Sequence, residues 1–152
     1  MDVWIDEIMA DRVRKKGGAL IFGDGTRISN FIAVEDVARF VVRVLADPDV
    51  VNQIIDVGGP SNLSLNELAT LVERKVGASG RRQHIPVAAL KLLPYVIRPF
   101  NEVAARLMSV GHYAATTAQP FPHWKEIADR FGVSPRTVEA YLETWPSERP
   151  AT

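Results

Sequence analysis

Not one of the 152 residues is cysteine. That excludes disulfides, thiolate catalysis and cysteine-ligated metals. Charge of one sign is also lacking: 18 Lys and Arg balance 18 Asp and Glu, so no long-range pull toward nucleic acid or anionic lipid is expected. No long uninterrupted apolar run occurs, and the start, MDVWIDEIMADRVRKK, is first acidic and then basic. It reads as neither a signal peptide nor a membrane span, which makes the cytoplasm the expected setting.

Glycine arranged for phosphate is missing as well. A dinucleotide site needs glycines between a strand and a helix, so that backbone amides can approach a pyrophosphate. The single candidate, Ile54-Ile55-Asp56-Val57-Gly58-Gly59-Pro60, lacks the G-x-G-x-x-G spacing, and Pro60 removes an amide. A P-loop is absent. The three histidines, His84, His112 and His123, stand far apart with no ligand-spaced carboxylates, so no metal site is expected.

What remains is ordinary globular composition, 47% hydrophobic and 24% charged. Ile5, Met9 and Val13 recur with Trp4 and Ile8 at helical spacing, which predicts a helix over about Asp2–Lys15, ended by Gly17-Gly18. Ala19–Phe22 and Ile28–Val34 read as strands joined through Gly23-Asp24-Gly25-Thr26 as a hairpin turn. An apolar helix follows from Val37 to Leu45, stopped by Asp47-Pro48. Gln53–Val57 reads as a β-branched strand. Ser64 and Glu67 make a capping box for the next helix, whose inner face is Leu65, Leu68, Ala69, Val72 and Val76, and Gly77 ends it. Arg82–Ile85 suits a short strand. Beyond Val87 the pattern is helical and punctuated by proline, with Phe100, Val103, Ala104, Leu107 and Met108 as the clearest stripe. Strand–helix alternation followed by helices predicts an α/β fold with a helical extension. No linker argues for two domains, so residues 1–152 are expected as one partial domain: a strand–helix part over 1–86 and a mostly helical part over 87–152.

The run Leu20–Gly59, and within it GTRISNFIAVEDVA, resembles the last part of the extended and atypical short-chain dehydrogenases/reductases, the NAD(P)-binding group with sugar epimerases and NmrA-like proteins. Phe31, Ile32, Val34 and Asp36 fall at that group's strand-to-helix junction, and IIDVGGPSNLSLNELATLV resembles the strand and helix closing its main sheet. The resemblance implies the carboxyl-terminal portion of a Rossmann-like protein. It also implies NAD(P) as cofactor and a small organic substrate for a full-length relative, but no cofactor for this chain alone. Asn30, Phe31, Met9 and Met108 are the candidate substrate-pocket residues; Trp4 and Ile5 are candidates for the same cleft, and for Trp4, Ile5, Met9 and Met108 a core stripe is the competing role. Asp36, Ser64 and Glu67 are read as helix caps rather than catalysts. Catalytic, cofactor-binding and metal residues are expected to be none.

The group's catalytic pair is a Tyr with a Lys four residues on, where the ammonium lowers the phenol's pKa. Here Tyr95 is followed at that distance by Pro99, Tyr113 by Thr117 and Tyr141 by Trp145. Epimerases of nucleotide sugars carry an Arg two positions before the aromatic; this chain has Ser29, with Arg27 two residues earlier, about 7 Å away on the same strand face. That disfavours nucleotide-sugar substrates and favours the NmrA-like branch. Such proteins also act as non-catalytic sensors or partner-binding modules, which stays open as an alternative. If the other strands of the sheet lie outside this chain, apolar surface is expected to be exposed, and the chain to self-associate or to need the missing half.

A third reading is helix-turn-helix DNA binding over 124–145, with Gly132 at the turn and Ser134-Pro135 starting the second helix. From His123 to Arg149, Lys125, Arg130, Arg136 and Arg149 face Glu126, Asp129, Glu139, Glu143 and Glu148. A phosphate-binding module should be basic, and this segment is not.

Overall fold

The computed structural model describes residues 5, 9–77 and 80–145. Trp4 and the tail from Pro146 lie outside the described residues. Among those described, the order is α1 (Asp11–Lys16), β1 (Leu20–Phe22), β2 (Ile28–Phe31), α2 (Val34–Leu45), β3 (Ser61–Ser64), α3 (Leu65–Val76), β4 (Gln83–Ile85), α4 (Val87–Ile97), α5 (Glu102–Thr116), α6 (Trp124–Phe131) and α7 (Val138–Thr144). The fold is α/β.

β1 and β4 pair in parallel, Leu20 opposite Gln83 and Phe22 opposite Ile85. β2 and β3 pair antiparallel, Ile28 opposite Ser64 and Phe31 opposite Ser61. The expected hairpin across Gly23–Thr26 is therefore not formed: each strand takes a partner far along the chain, and the glycine turn carries the backbone from one sheet to the other. β2 is covered on its second edge too, where Asn30 N donates to Gln119 O at 2.9 Å and Gln119 N to Ile28 O at 2.7 Å. It stops at Phe31, because Ala33 is the extended N-cap of α2 and Val34 is already helical.

Residues 53–57, expected as a strand, carry no ladder; a parallel strand forms only beside a neighbour, and no strand among the described residues lies against it. Its period of two survives. Ile55 and Val57 pack onto a cluster of Phe40, Val50, Ala128, Phe131 and Val133, while Ile54 is 94% exposed. Phe40 and Phe131 meet edge to face at 6.5 Å.

A larger core joins α1, β1, α3 and α7 through Met9, Val13, Ile21, Phe22, Leu68, Val72, Val138 and Leu142. Full burial of each large apolar side chain there contributes about 1.5–3 kcal/mol. α3 is framed by local chemistry. Ser64 accepts from Glu67 N, Glu67 accepts from Ser64 N, and Gly77 closes the helix at φ +72°.

Two apolar stripes behave differently from their sequence reading. α5 buries Ala105, Gly111 and Ala115; of the expected stripe, Ala104 and Met108 are half-buried, with Met108 packed on the larger core, while Phe100, Val103 and Leu107 are exposed. The reason is close approach: a Cβ at Gly111 would lie 2.9 Å from the Phe22 ring, so only the small-residue face can reach β1. α2 buries Asp36 and Phe40 and leaves Val41, Val42 and Leu45 exposed. Nor do α6 and α7 pack as a helix-turn-helix unit. Ala128 and Phe131 sit in the smaller cluster, and Val138 and Leu142 in the larger one.

Candidate functional site

The turn between β1 and β2 is pinned from three sides. Gly23 and Gly25 have φ of +66° and +71°, conformations that favour glycine. Asp24 Oδ1 accepts from the Thr26 amide at 3.0 Å and from its hydroxyl at 2.9 Å. Those two bonds hold the Asp24 carboxyl below its ordinary range, so it is ionised. From α3, Asn66 Nδ2 donates to Asp24 O at 2.8 Å and Asn66 N to Gly25 O at 3.2 Å. From β4, Ile85 O accepts from Gly23 N at 2.9 Å.

His84 completes the attachment, its Nδ1 lying 2.9 Å from Gly23 O. A carbonyl can only accept, so Nδ1 carries a proton and donates to it, which leaves Nε2 as the ring nitrogen not engaged by Gly23. Beside it opens a cleft of about 540 Å³ lined by Gly23, Asp24, Arg27, His84, Val87 and Thr116 among others. Arg27 makes no hydrogen bond or ion pair to any described residue. The cleft thus presents the Arg27 guanidinium, whose charge also acts on Asp24, beside the Asp24 carboxylate and the His84 ring. Such a set can orient a polar small molecule.

None of the four expected pocket residues lines this cleft. Asn30 is spent on the 58–59 turn: its Nδ2 donates to Gly59 O and its Oδ1 accepts from Gly59 N, both at 2.8 Å, with a third bond to Asn62. Phe31 and Met9 are buried in the larger core with Ile5, and Met108 packs half-buried against it. Arg27 and His84 are brought together by topology. The register of Arg27 was visible from its alternation with Ser29, whereas nothing local marks His84; only the parallel β1–β4 pairing places it opposite Ile21.

Gly58-Gly59-Pro60 leads into β3, not a helix, and its space is taken. A Cβ at Gly58 would lie 2.3 Å from Phe121, and one at Gly59 2.1 Å from Phe31 O. These glycines admit the protein's own atoms.

Asp36, in the first turn of α2, is fully buried. Ala33 at the N-cap gives α2 no side-chain cap. The Asp36 carboxylate instead accepts from Arg39 and from the backbone amide of Arg136, both at 2.9 Å. Burial acts against the Arg136 charge, but Glu35 and Asp36 outweigh it and raise its pKa. The pair anchors the approach to α7, where Thr137 caps the helix and Ser61 Oγ accepts from Val138 N. Among the described residues no three His, Asp or Glu are grouped to hold a metal, and no helix is long and apolar enough to cross a membrane.

This arrangement is α/β and is similar in fold to part of larger, Rossmann-like solved structures. A nucleoside-diphosphate-sugar epimerase from Staphylococcus aureus matches 92% of this chain and 46% of its own at TM-score 0.65 and 20% identity. An NADPH-dependent quinone oxidoreductase from Escherichia coli matches 92% and 51% at 0.66 and 16%. In sequence, the relatives are isoflavone reductase-like proteins. An isoflavone reductase homologue from Zea mays is 35% identical over 98 residues, 63% of this chain and 30% of the relative. A phenylcoumaran benzylic ether reductase from Populus trichocarpa is 32% identical over 95 residues, 61% of this chain and again 30% of the relative. The chain thus spans under a third of the curated relatives it matches. No protein-family model matches it.

Proposed function

We propose that this chain is one partial domain, the substrate-side part of a cytoplasmic NAD(P)-dependent reductase of the isoflavone reductase-like kind, and that alone it neither grips the dinucleotide nor transfers hydride. The observation that carries this is the filled glycine turn: Phe121, Asn30 and Phe31 occupy the space a pyrophosphate would need at Gly58-Gly59. Two further features support it. No Tyr has a Lys four residues on, and the segment 53–57 lacks the neighbour a parallel sheet would give it. The cleft at Arg27 and His84 is the part that would meet a polar group of a small organic substrate, Arg27 through charge and His84 through Nε2.

The test is a titration with NADH and NADPH, read by tryptophan fluorescence. The chain alone should show no saturation in the micromolar range, and should gain it when co-expressed with the part of the maize relative that it does not match. Micromolar saturation of the chain alone would overturn the proposal.

A further inference from the structure

α4 and α5 form a helical hairpin joined by residues 98–101, and a groove of about 780 Å³ runs between them. Its floor is apolar, made by Leu90, Pro94 and Ala105, and its rims carry Lys91 and Arg98 from α4 and Arg106 from α5. The acid of the groove, Glu102, is already engaged by Arg106 at 2.7 Å. The Lys91 and Arg98 side chains have no hydrogen-bonding or ionic partner among the described residues. In a chain of zero net charge, the stretch Val87–Thr116 therefore holds an excess of positive charge. Apolar surface continues around it: Tyr95, Phe100 and Val103 are 81%, 89% and 78% exposed.

We propose that this groove binds a single-chain amphiphile with an anionic phosphate or carboxylate head. The volume lies within the range of small-molecule sites, about 300–1,000 Å³. An alkyl or aryl body would remove the floor from water, and the head would meet Lys91 and Arg98, which gain charge-assisted hydrogen bonds they otherwise lack. A second copy of the chain fits less well. Its only groove carboxylate is neutralised by its own Arg106, so two hairpins face to face would oppose cation to cation. The inference is independent of the dinucleotide reading, since none of these residues lines the Arg27–His84 cleft.

The test uses dodecyl phosphate below its micelle concentration, dodecyl maltoside as the neutral-headed control, and vesicles of phosphatidylcholine with and without phosphatidylglycerol. Binding is read by calorimetry and co-sedimentation for the unaltered chain and for Lys91→Glu/Arg98→Glu, with thermal melts of both. Both side chains are exposed, so the melt should not move. Saturable binding of dodecyl phosphate, weakened about tenfold or more both in the variant and for the neutral control, supports a soluble ligand. Sedimentation only with phosphatidylglycerol vesicles, without saturable binding of dodecyl phosphate, would overturn the proposal in favour of a bilayer surface. Equal affinity for the neutral detergent, binding unchanged by charge reversal, binding to none of these probes, or a stable dimer whose hairpin is inaccessible would overturn the proposal.

Discussion

The backbone amide of Arg136 donates a 2.9 Å hydrogen bond to the carboxylate of Asp36, across 100 residues of chain. Asp36 is fully buried, and its charge is met by that amide, by Arg39 and by the Arg136 guanidinium at 3.7 Å. One side chain thus ties the start of α2 to the approach to α7, and so connects the smaller core to the larger. Asp36→Ala leaves the Arg136 amide without its acceptor and the half-buried Arg136 guanidinium with Glu35 alone, and should cost about 3 kcal/mol in urea unfolding. Asp36→Asn keeps an acceptor for the amide and should cost about half of that. Glu35, largely exposed, also reaches Arg136; its alanine variant should lose under about 1 kcal/mol. Equal losses for the three would show that Asp36 is not the anchor.

A second clamp holds the parallel pair in register. Arg82 Nε lies 3.1 Å from both Glu73 oxygens, one terminal nitrogen donates to Glu73 at 2.7 Å and to Thr70 at 2.7 Å, and the other to Asn66 O. Glu73 also accepts from Ala19 N, just before β1. From the head of β4 the guanidinium fork reaches Glu73, Thr70 and Asn66 of α3 at once, a geometry an ammonium cannot reproduce. Arg82→Lys should therefore cost about 2 kcal/mol by chemical denaturation although the charge is kept. A loss no greater than that of an exposed Lys replacement would sink this account.

Local signals made part of this fold legible. Ser64, Glu67 and Gly77 mark both ends of α3 within a few residues of sequence, and the Leu65–Val76 spacing gives its buried face. What was illegible depends on partners far away. β1 and β2 resemble a hairpin until β4 and β3 are known to claim them, and α5 looks anchored by Phe100 and Val103 until Phe22 is seen against Gly111. Apolar spacing reports which residues prefer burial; which face is used depends on how near a neighbour can come. The candidate site shows the same division. Arg27 stands in a readable strand alternation, while His84 reaches the cleft through a pairing between strands more than sixty residues apart.

Acid should weaken the chain in a defined window. The Ser64 amide, and then its hydroxyl, hold Glu67 below its ordinary value of 4.5, and Thr26 does the same for Asp24. A carboxyl whose folded pKa is lowered contributes stability above its unfolded value, and that contribution is lost as pH falls through the folded one. The loss should therefore begin below about pH 4.5 and grow with further acidification. Glu67→Gln should be less stable than the unaltered chain near neutrality and converge with it in acid. Ser64→Ala should cost about 1 kcal/mol near neutrality. Urea midpoints across the acid range check this; a Glu67→Gln deficit that persists unchanged in acid would contradict it.

Two glycines separate packing from backbone strain. Gly132 has φ +61° with open space around its Cβ position, so Gly132→Ala meets only the left-handed backbone cost, about 1 kcal/mol. Gly59→Ala drives a methyl to 2.1 Å from Phe31 O, in a strand paired on both edges. Neither side can yield without breaking the β2 ladder or the Asn30 bonds, so the loss should reach about 3 kcal/mol. Thermal and urea unfolding of the two variants measure the difference. If Gly59→Ala were as mild as Gly132→Ala, the turn would have room beside it, and the argument that protein atoms exclude a pyrophosphate there would fail with it.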